Sequence, residues 1–289
     1  MKRLGFIGLG AMCTPMARAL LDSGFQLKAF DVLAERSEAL AESGAVVADS
    51  IQDVVEDVDA LILMLVNADQ VADALFGEQG AARYLREGAT VIVTGTIGPQ
   101  EVRGVARRLE DFGIHALDAP VSGGPARAEK GDLLIMAGGE RGVFDEHSGV
   151  LEAMGSNVVF CGNSPGDGQS VKLVNQLLCG VHIAVAAEAL AYAAALGLDP
   201  ASVFETIRHG AANSFMLEDR GKRMLANDFA ESKSALDIFV KDLGLVLEEA
   251  EENGFEAPVS SAAQKVFEKG ASLGFGIEDD SGVVRVFGW

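Results

Sequence analysis

Short apolar runs alternate with segments of helical periodicity through the first half of the chain, and the second half carries helical periodicity alone. Residues 4–7, 26–30, 60–65, 90–93 and 115–117 read as strands bounded by turn residues. Between them, residues 16–23, 34–43, 68–76 and 99–111 place apolar side chains at helical spacing. This rhythm predicts an α/β fold, a doubly wound and mostly parallel sheet. Residues 133–137 and 158–161 read as later strands at one edge. The pattern changes at Gly162, where Asn163-Ser164-Pro165-Gly166-Asp167-Gly168 forms a turn-rich hinge. Beyond it no strand is expected. Helices are expected over 169–196, 200–209, 215–226, 236–252 and 258–269. Asp199 followed by Pro200 reads as an N-cap and first helical residue. Asn253-Gly254 reads as a helix end. The expected organisation is a first domain over residues 1–163 and an all-α C-terminal domain over residues 164–289, with an active site in the cleft between them.

Composition narrows this picture. The chain has 289 residues, 49% of them hydrophobic, which is enough for two cores. Its formal net charge of −20 repels nucleic acid and anionic membrane surfaces, so neither is expected as a partner. Residues 173–198 are long and Ala-rich enough to raise the question of a membrane span. Asn175, Gln176, His182 and Glu188 interrupt that stretch, so a helix at the centre of the second domain is expected instead. Its apolar extent exceeds what one small helical domain needs, and a homodimer or homotetramer is expected. No basic segment followed by an apolar one opens the sequence, so no secretory signal is expected. Cys13, Cys161 and Cys179 are odd in number and widely spaced. They suggest neither a disulfide framework nor a zinc site, and a cytoplasmic location is expected.

The first chemistry-bearing feature is Gly8-Leu9-Gly10-Ala11-Met12-Cys13, which runs from a strand directly into a helix. Gly8 allows a tight turn. Gly10 lets the backbone approach a pyrophosphate lying at the positive helix N-terminus. Gly8, Leu9, Gly10, Ala11 and Met12 are therefore expected to bind a dinucleotide, making the first domain Rossmann-type. Cys13 stands at the third glycine position and is expected to loosen helix–strand packing slightly. Asp31 ends the second strand at the spacing expected of a carboxylate that receives the adenosine ribose hydroxyls and repels a 2′-phosphate. NAD is the expected cofactor. An ordinary strand-end turn residue is the plain alternative for Asp31. Arg36, the nearest arginine, is expected to face solvent.

Four ordered motifs resemble the β-hydroxyacid dehydrogenase family, which includes 3-hydroxyisobutyrate dehydrogenase and tartronate semialdehyde reductase. They are Gly8 to Ala17, Asp118-Ala119-Pro120-Val121-Ser122-Gly123-Gly124 with Gly131, Gly166 to Asn175, and Lys241-Asp242-Leu243. The helical half is most similar to the L-threonate dehydrogenase subgroup, through Gln176 to Ala184, His209 to Phe215 and Asp237 to Leu245. The resemblance implies hydride transfer between NAD and a small hydroxy acid, with L-threonate oxidised at C2 as first choice. Oxidation of 3-hydroxyisobutyrate, or reduction of tartronate or succinic semialdehyde, is the alternative within the class. A non-catalytic dinucleotide-binding regulator and an imine reductase are alternatives outside it.

Alcohol oxidation needs a group that takes the hydroxyl proton as hydride leaves carbon, and one side chain serves both directions. Lys172, early in the long helix, is the candidate. An apolar surround lowers a lysine's pKa, and a positive nicotinamide ring pushes the same way. A solvated helix lysine is the bland alternative. Asn175 and Gln176 follow at i+3 and i+4, on the same face, and are expected to orient the amine or bind a substrate hydroxyl. The family has a second asparagine where this chain has Gln176. Ser122, Gly123 and Gly124 are expected to cradle the substrate carboxylate with successive N–H groups; a plain tight turn is the alternative. Thr96 is expected at the nicotinamide ribose, and Leu65, Val66 and Asn67 along the cofactor groove. The resemblance also brings Lys241 toward the cofactor, against the alternative of an ion pair with Asp242 or Glu248. Asn213, Phe215 and Phe239 are weighed as pocket residues, with core packing an equal explanation for the two phenylalanines.

Overall fold

A computed structural model describes residues 2–289. The chain divides into two compact units, Met1–Lys172 and Leu173–Trp289. The division falls inside a helix, nine residues beyond the boundary expected at the hinge.

Among the described residues, the first unit holds nine strands: β1 (Arg3–Ile7), β2 (Gln26–Phe30), β3 (Val46–Val47), β4 (Ala60–Leu63), β5 (Thr90–Val93), β6 (His115–Asp118), β7 (Val121–Ser122), β8 (Leu134–Gly139) and β9 (Asn157–Gly162). Their order is β3-β2-β1-β4-β5-β6-β8-β7, with β9 along β8. Pairing is parallel from β3 through β6, and β8 runs antiparallel to β6. The chain order reverses between β1 and β4, which is where an open α/β sheet leaves a crevice at its strand ends.

Strands β4 and β5 are buried at every residue, as expected of parallel strands covered on both faces. Alternation sorts their side chains. Leu4, Phe6, Ile62 and Ile92 pack on one face, while Ile7, Leu61, Leu63, Val91 and Val93 pack on the other. The first face is covered by α1 (Cys13–Asp22) through Met16, Ala17 and Leu20. The second is covered by α3 (Ile51–Val55), α4 (Ala68–Phe76) and α5 (Pro99–Glu110). Helix α2 (Ala34–Ala41) follows β2.

Several expectations need adjustment. Strand β4 stops at Leu63, two residues early. Met64 N–H still donates to the Ile7 carbonyl, after which the chain turns toward the α4 cap at Asn67. Strands β3 and β7 are two residues each, too short for a periodicity to register. Helices α3 and α6 (Pro125–Ala128) are similarly brief. Helix α7 (Arg141–Met154) has no counterpart among the expected elements. Val143, Phe144, His147, Val150, Leu151 and Met154 are nonetheless buried at helical spacing, masked by Gly142 and Gly149.

Helix α8 (Asp167–Ala195) begins in the first unit and continues into the second. By length and composition alone it could cross a membrane. Ile183, Ala187 and Leu190 instead join the core of the second unit. That core also takes residues from α9 (Pro200–Ile207), α10 (Phe215–Ala226), α11 (Leu236–Glu252) and α12 (Pro258–Gly270). Asp199 caps α9 through the N–H groups of Ala201 and Ser202, with Pro200 at the first helical position. Gly254, at φ +65°, follows the end of α11. Gly221 lets α10 close on Phe204: a Cβ there would stand 2.6 Å from the ring.

A buried ion cluster fastens the C-terminal 3₁₀ stretch Asp280–Phe287 to α10. Arg220 donates to both carboxylate oxygens of Asp280, at 3.0 and 2.9 Å, and Asp280 is fully buried. Burial raises the Asp280 carboxyl and the Arg220 charge opposes that rise. Removing one partner strands the other charge in the core. Arg220→Ala should therefore lose about 3–5 kcal/mol of unfolding free energy. Urea denaturation followed by circular dichroism measures this, and a loss below about 1 kcal/mol would show that solvent reaches Asp280.

Candidate active site

The strand register aligns the candidate cofactor residues. Ile7 pairs with Phe30 and with Leu63, Leu63 pairs with Val93, and Val93 pairs with Asp118. The residues after these strand ends therefore emerge along one edge of the sheet. Gly8, Asp31, the segment Leu65-Val66-Asn67, Thr96 and Asp118 all sit along that edge.

Gly8 has φ +94°, and a Cβ there would lie 2.4 Å from the Met64 carbonyl oxygen. Its N–H donates to the Phe30 carbonyl. The tight turn thus has an internal cause. Gly10 is different. Its φ is not in the left-handed region, and a Cβ would meet only the Cys13 sulfur, at 4.0 Å. Nothing inside the protein demands glycine there, which fits a position kept bare for a ligand's close approach. No side chain caps α1 at Met12; the N–H groups of Cys13 and Thr14 turn back on the Gly10 carbonyl, at 2.9 and 3.2 Å, which closes the turn into the helix. Leu9 is buried, while Ala11 is exposed. The turn fits a dinucleotide pyrophosphate.

Cys13 is buried in the core beneath α1. Burial pushes its thiol up to about 12, so it packs as an apolar group.

Asp31 is buried and braces the turn directly. Its Oδ2 accepts the Leu9 N–H at 2.7 Å, and its Oδ1 accepts the Leu33 N–H at 2.9 Å. Arg36 is exposed, as expected. Its Nη1 lies 3.6 Å from Asp31 Oδ2, because the first turns of α2 bring it back over the strand end. Val66, an exposed residue, and Asn67 precede α4. Asn67 Oδ1 accepts the Gln70 N–H, and Gln70 Oε1 accepts the Val66 N–H, a reciprocal cap that fixes this segment. Thr96 is half-buried. The neighbouring Gly95 touches the other loop closely: a Cβ there would fall 2.3 Å from the Leu65 carbonyl oxygen. Any side chain at Gly95 would require that loop to shift.

Ser122 is half-buried, and Gly123 and Gly124 have φ of +147° and +76°. A side chain at Gly123 would meet Leu133 and Arg127, whereas space at Gly124 is open. Arg127 is itself held by Asp132 at 3.0 Å.

Lys172 is buried, at 6% exposure, on the second turn of α8. Gln176 follows it and is also buried. In the second unit, Gln176 Nε2 donates to Asp242 Oδ2 in a short hydrogen bond, and Gln176 Oε1 accepts from Asn175 Nδ2 at 2.9 Å. Lys241 Nζ lies 2.6 Å from the other Asp242 oxygen. That pair is a close ion contact without good hydrogen-bond alignment at Oδ1. One buried carboxylate thus gathers Gln176 and Lys241. Phe239 is buried and stacks on Phe267 in the core, which argues for packing. Phe215 is exposed.

Two residues absent from the expected site stand out. Asp118 is fully buried at the end of β6. It accepts the N–H of Gly166 and that of Gln169, both at 2.7 Å. Gln169, also fully buried, reaches the loop after β5 through its side chain. Both residues lie inside motifs of the family resemblance, Asp118 opening one and Gln169 within Gly166 to Asn175, but neither motif marks their contact. A Cβ on Gly168 would stand 2.2 Å from the Met136 carbonyl, so α8 begins hard against β8.

Two family matches cover nearly the whole chain. Residues 3–162 match the NAD binding domain of 6-phosphogluconate dehydrogenase, and residues 166–287 match the family described as NAD-binding of NADP-dependent 3-hydroxyisobutyrate dehydrogenase. The chain is 41% identical to an L-threonate dehydrogenase of Cupriavidus necator, over 99% of this chain and 96% of that protein. It is 39% identical to an L-threonate dehydrogenase of Escherichia coli K12, over 98% and 94%. The crystal structure of a 3-hydroxyisobutyrate dehydrogenase from Salmonella typhimurium shares the fold with a TM-score of 0.93 at 38% identity, over 99% and 100% of the two chains.

The environment of Asp118 has a pH consequence. Burial raises its carboxyl from 3.8 to about 7, against the Gly166 and Gln169 amides that pull it down. The folded state therefore keeps this proton between about pH 4 and 7, where the unfolded chain has lost it. The stability it contributes is whole below about pH 4 and is lost as pH rises through about 7. Asp118→Asn cannot titrate. The Tm of the parent minus that of this variant should fall from about pH 4 to 7 and then level off. A difference independent of pH, by scanning calorimetry, would contradict the raised value.

Proposed function

The chain belongs to the β-hydroxyacid dehydrogenase family, that of 3-hydroxyisobutyrate dehydrogenase, and from that premise we propose that it oxidises L-threonate at C2, with NAD as cofactor and Lys172 as proton acceptor. It is an NAD(P)-dependent dehydrogenase that acts on the CH–OH group of a small hydroxy acid. The observation that carries the mechanistic reading is Lys172 itself, an amine buried near the start of α8 within the Gly166 to Asn175 motif.

When bound, the nicotinamide accepts the hydride. Lys172 Nζ takes the hydroxyl proton as the C–H bond breaks, and returns a proton in the reverse direction. Ser122, Gly123 and Gly124 hold the substrate carboxylate; the positive φ of both glycines supports a backbone able to turn N–H groups toward one anion. Asn175 binds a substrate hydroxyl, and Gln176 orients it, a role supported by their mutual hydrogen bond. Gly8, Leu9, Gly10, Ala11 and Met12 receive the pyrophosphate. Leu65, Val66 and Asn67 line the cofactor groove, Thr96 meets the nicotinamide ribose, and the family resemblance assigns Lys241 to the cofactor. The choice of L-threonate draws on the curated relatives of that name at 39–41% identity. The preference for NAD rests on Asp31, whose carboxylate would repel a 2′-phosphate. Arg36 beside it works in the opposite sense and narrows that preference. We further place the enzyme in the cytoplasm as a homodimer or homotetramer. Val171, Val174, Leu178, Val185 and Tyr192, exposed along α8, support self-association.

Two measurements test this. A panel of L-threonate, 3-hydroxyisobutyrate and, in reverse, tartronate semialdehyde, each with both cofactors, should give the highest kcat/KM for L-threonate with NAD. A higher value for another acid, or for NADP, would replace the corresponding part of the proposal, and cofactor binding without turnover on any acid would favour a regulator. Separately, Lys172→Ala should lower kcat by about 10²–10⁴-fold. Its NADH affinity, by fluorescence titration, should change little, and near-normal turnover would remove Lys172 from its role.

A further inference from the structure

Gln169 has an unusual set of partners for a helix residue with no exposed surface. Its Nε2 donates to the Gly95 carbonyl at 2.8 Å. Its Oε1 accepts the N–H groups of Ile97 and Gly98, at 3.1 and 3.3 Å. One side-chain amide thus takes up three backbone groups of the loop that leaves β5, the loop that carries Thr96. Its own N–H is fixed from the opposite side by the Asp118 carboxylate. The loop is wedged in turn: Gly95 packs on the Leu65 carbonyl so closely that no Cβ would fit. Gln169 is fully buried, so it does not touch a substrate from this position. Lys172 lies three residues further along α8, on the adjoining turn.

We infer that Gln169, backed by Asp118, is a positioning residue that locks the Thr96 loop and the Lys172-bearing turn of α8 into one body. The reason such a lock matters is geometric. Proton transfer and hydride transfer are concerted only if base and acceptor ring hold their separation. A misplacement of about 1 Å costs on the order of 10²-fold in rate. An apolar side chain of the same size would fill the space but leave three buried backbone groups without partners, so the loop and the helix could move apart. The amide is suited to the task because it offers a donor and an acceptor side by side, which match the carbonyl of Gly95 and the N–H groups two and three residues beyond it.

This inference rests on the assignment of Lys172 as the base, and the test separates the two. Gln169→Met keeps length and helix propensity while removing all three bonds. It should lower kcat by about 10- to 100-fold, with NADH affinity by fluorescence titration within about fivefold of the parent. In a Lys172→Ala background, Gln169→Met should leave the residual rate unchanged within about twofold, because the residue acts through the missing amine. Gln169→Glu keeps the acceptor toward Ile97 and Gly98 but sets an oxygen against the Gly95 carbonyl, and should fall between parent and Gln169→Met. It carries the same comparison if Gln169→Met does not fold. Lys172→Ala with normal turnover overturns the base assignment first, whatever Gln169 does. With that variant inactive, three results overturn the positioning role. These are a folded Gln169 variant with parental kcat, losses that multiply in the double variant, and losses confined to cofactor affinity. Failure of both variants to fold would also overturn it, making Gln169 a determinant of folding alone.

Discussion

The buried carboxylate of Asp118 is where the edge of the sheet meets the start of the longest helix. A helix begins with N–H groups that have no partner, and usually a nearby Ser, Thr, Asp or Asn supplies one. Here the acceptor comes from a strand end instead. The cost is the desolvation of a carboxylate, which is why its proton is held up to about 7. The return is that two backbone N–H groups at the helix start, those of Gly166 and Gln169, find an acceptor on one side chain. The balance leaves α8 with one fixed origin. Gly138 and Gly168 are the steric corollary, since a Cβ on either would collide with this junction.

The opposite end of the same sheet edge follows a similar rule. Asp31 accepts the Leu9 N–H, so the second strand sets the shape of the turn after the first. The reciprocal cap between Asn67 and Gln70 sets the third loop, and the Gln169 amide sets the fourth. Each loop along the cofactor edge is held by a side chain rather than by a continued ladder. Such loops keep their conformation without strand pairing, and so leave backbone groups available to a ligand. The in-register strand ends then make one continuous rim of separately braced loops.

The second unit repeats the device with Asp242. Its carboxylate is buried among apolar residues of α11 and draws in both Gln176 and Lys241. Gln176 replaces a shorter asparagine of the family pattern. Its extra methylene carries the amide to Asp242, and its carbonyl oxygen still receives Asn175. The substitution therefore keeps a polar chain intact in this unit.

What the sequence determined by itself was local or periodic. The strand–helix rhythm, the switch to helices after Gly162, the Asp199-Pro200 cap and the Gly8 turn all depend on residues a few positions apart. Arg36 shows where that reach ends: it is exposed, as expected, but its ion pair with Asp31 depends on how α2 packs back over the strand end. Helix α7 was readable in its burial pattern but hidden by two glycines. The partners of Asp118, Gln169 and Gln176 lie 48, 74 and 66 residues away. Nothing in a linear pattern marks a carboxylate as the cap of a helix so distant. Only the pairing of strand ends brings those groups within hydrogen-bond reach, because register is set by the packing of whole faces and not by the residues that finally meet. The glycine turn and its distant acid could be read directly, whereas the braces that hold them were decided by the tertiary structure.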